Sequence, residues 1–335
     1  LGIQILSSIL VNFVQNRFIT KKYYDINFKS NDKLPVNERK IIAKNISGLM
    51  IAKLGDFCVN STDNLIISKF VDLASVAIYS NYILLRNLVN GYIGILFGSI
   101  TAGFGNLVAE GNEKKSLEIF NVLFFVSFII YSFEAVSFIC LLNPFIKDLW
   151  IGSEYIFPFN TVLLIVINNY LTGLRMPIIT MKSAAGIYLE DAWVPFGFAI
   201  INLGASIVLG KYFGVFGVIL GSIIGSLCTA DWYRPIVIFK KVFKISSWNY
   251  FKNYIKYIIL GGFYMIISVY ICNSIVYSNV LVNFIIKCLI CIIIPNIITI
   301  ILFHNTDEFR YLYTIMRNIV NSRDINEIKG KFNEN

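Results

Sequence analysis

The apolar positions of this chain fall in long blocks separated by short polar punctuation. Nine such blocks lie at about 1–19, 46–70, 77–105, 118–142, 156–181, 193–211, 214–232, 255–276 and 281–303. Each is about 18–25 residues or more, enough helix at ~1.5 Å per residue to cross a ~30 Å hydrocarbon layer. The pattern predicts an all-α fold, a polytopic transmembrane helix bundle of about nine spans. Spans longer than ~22 residues imply tilt or a kink. Pro177 and Pro295 lie inside spans and are the predicted kink sites, because each removes one backbone donor.

Composition agrees. The 335 residues are 56% apolar and 15% charged, with a mean hydropathy of +0.68. Soluble domains carry about 25% charged residues. A soluble enzyme, a disordered tail and a secreted disulfide scaffold are excluded. The first residue, Leu1, stands in an apolar stretch with no basic n-region or cleavage site, so no signal peptide is read there. The reading is of a chain entered partway through.

The net charge of +9 takes its meaning from placement. Loops 20–44, 106–117, 182–192 and 233–254, extended to Lys256, together with the tail 304–335 hold 21 of the 29 Lys and Arg. The opposite side holds Lys69, Lys147 and Lys211, and the other five lie within spans. By the positive-inside rule the basic side is cytoplasmic and so is the C-terminus. The charge is read as topology, and no nucleic-acid partner is expected. Loops on the opposite side are short, the longest being about 143–155, too short for a catalytic domain.

Charges at mid-membrane cost ~2.5–3.5 kcal/mol on insertion scales, so those inside spans are functional candidates. Span 46–70 carries Lys53, Asp56, Asn60, Asp63 and Asn64 within an arc of about 100°. Either Lys53 and Asp56 neutralise each other at i, i+3, or the face lines an aqueous cavity; the second is the expectation. Span 77–105 sets Tyr82, Arg86 and Asn90 on one face, and Arg86 lies too deep to snorkel easily. Span 156–181 aligns Thr161, Asn168, Thr172 and Arg175, and span 118–142 adds Glu134. Guanidinium groups bind phosphate oxygens bidentately, so Arg86 and Arg175, with Lys53, suit an anionic, phosphate-bearing ligand. Asp56, Asp63 and Glu134 either couple a cation such as H+ or Na+, or pair with the arginines. Asn60, Asn64, Tyr82, Asn90, Asn168 and Thr172 are read as polar lining.

No catalytic constellation appears. His304, the single histidine, stands at a span end. Gly91, Gly94 and Gly98, and Gly221 with Gly225, are spaced for close helix approach. Cys58, Cys140, Cys228, Cys272, Cys288 and Cys291 all lie in apolar blocks. The Cys288-x-x-Cys291 pair has no nearby His or carboxylate in sequence and is read as packing. Neither a metal nor a cofactor is expected, and the chain is not read as an enzyme.

Certain strings, taken in order, are more telling. They are Asp63-Asn64-Leu65-Ile66-Ile67-Ser68, Ala77-Ile78-Tyr79-Ser80-Asn81-Tyr82, Gly105-Asn106-Leu107 with Ala109-Glu110, and Leu149-Trp150-Ile151-Gly152. Further along stand Ala185-Gly186-Ile187-Tyr188, Ile201-Asn202-Leu203, Gly214-Val215-Phe216-Gly217-Val218 and Trp232-Tyr233-Arg234-Pro235. Over nearly all of 40–250 the chain resembles the Wzx-like polysaccharide flippases of the multidrug/oligosaccharidyl-lipid/polysaccharide exporter superfamily. The resemblance implies a multi-pass protein of the bacterial cytoplasmic membrane. It would move undecaprenyl-diphosphate-linked oligosaccharide repeat units for capsule or lipopolysaccharide O-antigen synthesis by alternating access, alongside polymerase machinery.

On that resemblance, 1–19 is the last helix of an N-terminal lobe, 20–45 the cytoplasmic inter-lobe loop and 46–232 the six-helix C-terminal lobe. A basic loop at 233–254, two additional helices at 255–303 and a cytoplasmic tail at 304–335 complete the division. A lone second lobe would expose the Lys53–Asp63 face to lipid, so the segment is not expected to transport by itself. Competing readings are a cation-coupled drug exporter, whose cargo the arginines would repel, and a membrane polysaccharide polymerase, against which the external loops argue, being short and without a cluster of basic or acidic residues. A channel lacks a filter-like segment.

Overall fold

The computed structural model describes residues 2–22, 35–275, 277–315 and 317–318, with side chains among them except at 3, 4, 41, 44, 45 and 52–61. Regular structure among the described residues is entirely helical. The helices are α1 (Gly2–Lys22), α2 (Val36–Phe70), α3 (Leu73–Ala109), α4 (Glu113–Pro144), α5 (Phe159–Leu174), α6 (Met176–Ala184), α7 (Val194–Cys228), α8 (Ala230–Ile238), α9 (Trp248–Ser274) and α10 (Val280–Phe303). The chain divides into two compact units, Leu1–Lys44 and Asn45–Asn335. The first holds α1 and the opening turns of α2; the second holds the remainder of α2 and the helices α3 to α10.

Among the described residues six helical stretches are long and apolar enough to cross a membrane: Leu73–Ala109, Glu113–Trp150, Phe159–Ala184, Val194–Phe243, Trp248–Ser274 and Val280–Phe303. The nine expected spans are not all among them. Residues 1–19 and 46–70 do become helix, in α1 and α2, but neither is among the six. The physical reason is in their sequence: Asn12, Gln15, Asn16 and Arg17 interrupt the first, and Lys53, Asp56 and Asp63 the second.

The stretch Val194–Phe243 has 50 residues, about 75 Å as straight helix, far more than one crossing needs. It turns back at Gly214, whose φ of 60° and ψ of −140° lie outside the helical region and favour a residue without Cβ. Beyond the turn the two arms run antiparallel. Asn202 Nδ2 donates to Ser222 Oγ at 2.7 Å, and Ser206 Oγ donates to the Val218 carbonyl at 3.1 Å. Gly221 packs directly on the Ser206 backbone, so a Cβ there would collide with the facing arm. The sequence-read spans 193–211 and 214–232 are thus the two arms of one tight hairpin.

Other boundaries arise from capping chemistry. Asp72 caps α3, its carboxylate accepting from Ser75 N at 2.6 Å and Ser75 Oγ at 2.9 Å, which holds that carboxyl below its usual range. Asn112 caps α4 by accepting from Lys115 N, and Asn279 caps α10 by accepting from Leu281 N and Val282 N. Pro177, in the first turn of α6, ends the backbone ladder of α5 at Arg175. α10 runs through Pro295 unbroken.

Charged contacts bring loops together at the two ends of the bundle. Lys244 pairs with Glu113 at 2.5 Å and Lys241 with Glu190 at 2.5 Å, joining loops 106–117, 182–192 and 233–254 at one end. That hydrogen bond from Lys241 holds the Glu190 carboxyl below its usual range. At the other end Lys211 lies over the Phe70 ring, and Phe145 meets Phe284. Three of the loops grouped by charge in the sequence, 106–117, 182–192 and 233–254, are thus brought together in the second unit.

α4 is the central helix. One face carries Phe120, Phe124 and Phe128 at i, i+4, i+8, all buried, against Tyr250 and Tyr257 of α9 and Phe303 of α10. Ring pairs of this kind contribute about 0.5–1.5 kcal/mol each beyond burial. Large aliphatics point outward from the bundle, among them Leu84, Ile95, Ile259, Ile266 and Ile301. Apolar surface on this scale fits a lipid environment, and six apolar helices make this a multi-pass membrane protein.

Candidate functional site

The other side of α4 faces a cavity of about 730 Å³ bounded by α2, α3, α5, α6, α7 and α8. α3 supplies Tyr79, Arg86, Asn87 and Asn90, and the α5–α6 junction supplies Asn168, Asn169, Thr172 and Arg175. Asp63 and Asn64 of α2, Tyr131 of α4, Ser222 and Ser226 of α7, and Arg234 of α8 complete its polar lining. The i, i+4 spacing of Arg86 and Asn90 puts both on the inward face of α3. The break at Pro177 lets the chain present Arg175 inward where α5 stops.

Amides and hydroxyls form the scaffold. Asn90 Nδ2 donates to Asn169 Oδ1 at 2.8 Å and to the Arg86 carbonyl at 3.1 Å, fixing α3 to α5. Tyr79 OH donates to Asp63 Oδ2 at 3.3 Å, and Ser222 Oγ lies 3.4 Å from both Asp63 oxygens. Three helices thus converge on one carboxylate.

The three arginines differ in what holds them. Arg175 is ion-paired with Asp231 at 3.3 Å, donates to Thr172 Oγ1 at 3.0 Å and hydrogen-bonds Ser226. Asp231 also accepts from Tyr254 OH at 2.9 Å. Arg234 Nε donates to Asp191 at 2.9 Å, and the same carboxylate oxygen takes Lys182 at 2.6 Å. Arg86 donates to Asn87 Oδ1 at 3.2 Å and has no carboxylate within 4.0 Å among the described residues. Of the three positive charges, that of Arg86 is the one left for the cavity.

Of the residues singled out from sequence, Arg86, Arg175, Asp63, Asn64, Asn90, Asn168 and Thr172 line this one space. Tyr82 does not. It is fully buried, its OH donating to Asn143 Oδ1 at 2.5 Å and accepting from Phe157 N at 3.0 Å. It ties α3 to the extended segment before α5, because a phenol carries one polar atom that an amide and an N–H there already claim. Glu134 sits behind the lining, 3% exposed, with neither oxygen hydrogen-bonded among the described residues. The side chains of Lys53, Asp56 and Asn60 lie outside the described ones.

Sequence reasoning missed the counter-ions Asp231 and Asp191, and with them Arg234 and the Ser222–Ser226 pair. A signal existed for Ser222 and Ser226, which alternate with Gly221 and Gly225 on one hairpin arm. Asp231 stood at a span end and Asp191 in a loop, where a carboxylate excites no suspicion. Searches among protein-family models, curated proteins and solved structures find no match to this chain.

Proposed function

We propose that this chain is the cavity-bearing lobe of a transporter for lipid-linked, diphosphate-bearing oligosaccharides, moved across the cytoplasmic membrane for cell-surface polysaccharide synthesis. The observation that carries the reading is Arg86, a guanidinium with no ion-pair partner among the described residues, at the wall of an amide-rich cavity within a membrane bundle. A guanidinium in low-dielectric surroundings binds phosphate oxygens by paired, charge-assisted hydrogen bonds. Asn87, Asn90, Asn168, Asn169 and Thr172 offer donors and acceptors of the kind that hold sugar hydroxyls. The ordered strings that resemble Wzx-like flippases support the same reading.

Arg175 takes a narrower role than the sequence suggested. With Asp231, Ser226 and Thr172 as partners it braces the α5–α6 junction against α7 and α8. The basic loops then face the cytoplasm, the C-terminal tail with them, and Lys53 and Asp56 of α2 remain candidates for the same space.

A cation-coupled drug exporter is the second reading. The observation favouring it is Glu134, a buried carboxyl with no hydrogen-bond partner among the described residues, beside a cavity that also holds Asp63.

The test deletes the gene in its host and measures lipid-linked oligosaccharide on each membrane face. Complete repeat units on diphosphate lipid should collect on the cytoplasmic face, and Arg86→Ala should reproduce that phenotype. Unflipped lipid at wild-type level combined with new sensitivity to cationic drugs would favour the exporter. Single repeat units collecting outside would point to polymerisation and overturn the proposal.

A further inference from the structure

α4, α9 and α10 meet at a point the cavity does not use. Cys140, Cys272 and Cys291, one from each helix, bring their Sγ atoms within 4.8 Å of one another. All three are buried and all carry free thiols. Cys291 Sγ makes a long hydrogen bond, 3.9 Å, to the Val136 carbonyl. A lone thiol in an apolar helix is a small hydrophobe. Three sulphurs converging from three helices make a soft donor set.

The geometry fits a trigonal site. With metal–sulphur bonds of ~2.3 Å, three sulphurs around one ion stand ~4 Å apart. The observed spacing closes to that value by side-chain shifts of less than ~1 Å. Cys140 is four residues from the end of α4 and Cys272 two from the end of α9, so the cluster lies near the bundle end opposite the basic loops. Cys288, one turn before Cys291, is only half-buried on that side. Lys287 stands one turn before Cys291 on the same face of α10.

We propose that Cys140, Cys272 and Cys291 form a binding site for a soft monovalent d10 cation, Cu(I) being the physiological example, that pins α9 and α10 to the central helix. Soft thiolates select such ions over harder divalent ones. Charge balance sets the stoichiometry of ionisation. Two thiols lose their protons to solvent and bond as thiolates, and the third binds as a neutral thiol through a sulphur lone pair. The complex carries one negative charge, which the Lys287 ammonium offsets, and no electron is transferred.

The experiment titrates the purified whole chain in detergent with Cu(I), anaerobically, against a chromophoric Cu(I) chelator. One ion per chain is expected, with X-ray absorption giving three sulphurs at ~2.2–2.3 Å. Cys140→Ser, Cys272→Ser and Cys291→Ser should each weaken binding by at least ~10-fold, whereas Cys288→Ser and Cys228→Ser leave it unchanged. Unaltered binding in any of the first three, or its loss in Cys288→Ser, overturns the assignment. The wild-type spectrum decides the matter even where a serine variant fails to fold. A shell with nitrogen or oxygen donors, or with fewer than three sulphurs, is incompatible with the site.

Discussion

The two sides of α4 obey different rules. Toward α9 and α10 it is dry: Phe120, Phe124 and Phe128 interlock with tyrosines and with Phe303, and specificity comes from ring shape. Toward α3, α5 and α7 it borders a space whose walls are amides, hydroxyls and paired charges. Packing density carries the first side, and loss of a ring there is felt as lost cohesion. On the second side Arg175 and Arg234 are held by carboxylates, whereas Arg86 has no ion-pair partner among the described residues. Placement of a charge, then, tells less than whether its partner is already in the protein.

The largest effects should fall where each rule is broken outright. Phe128→Ala removes a fully buried ring touching Tyr257, Tyr264 and Phe303, and should cost ~3–5 kcal/mol in thermal or denaturant unfolding. Transport per folded molecule should stay unchanged; an equal loss of transport would mean the dry side also handles cargo. Asp231→Ala leaves the Arg175 charge buried without its ion-pair partner, for a comparable ~3–5 kcal/mol, and the double variant Arg175→Met with Asp231→Leu should recover most of it. Failure of the double variant to recover would assign Arg175 to the cargo instead of the brace.

Arg86→Ala sharpens the contrast from the other direction. Stability should move by no more than ~0.5 kcal/mol. Transport should fall by ~10–100-fold, the loss expected for ~1.5–3 kcal/mol of charge-assisted hydrogen bonding. A large drop in melting temperature would place Arg86 with the braced arginines. The smallest effect belongs to the exposed pair at the basic end. The Glu190 carboxyl is held below its ordinary value of 4.5, so its contribution is present above that pH and lost as pH falls through the lower folded value. Glu190→Gln should therefore cost up to ~1 kcal/mol at neutral pH, with the gap to wild type closing in acid.

Much of this was legible in the residues. The periodicity placed the helices of the second unit, and the i, i+4, i+8 rule put Arg86 and Asn90 on the inward face of α3. It failed at Tyr82 because a face is not a contact: one turn along the same helix the neighbour changes from open cavity to the Asn143–Phe157 segment. Counter-ions were hidden for a related reason. Asp231 and Arg175 are 56 positions apart in sequence and meet only because α7 folds back and α8 continues it toward α5. The cysteine cluster was illegible too, since a Cys-x-x-Cys with no neighbouring His gives no hint that sulphurs from two other helices will join it.

The turn at Gly214 has a consequence for how the protein is built. Its two arms are separated by no polar loop, and Lys211 is the single charge near the tip. Almost nothing hydrophilic has to be carried through the bilayer when this pair is threaded in. Asn202 can pair with Ser222, and Ser206 with the Val218 carbonyl, before any other helix arrives. The pair can therefore leave the insertion machinery as one unit, its polar side already paired, and wait in lipid for α5 to dock.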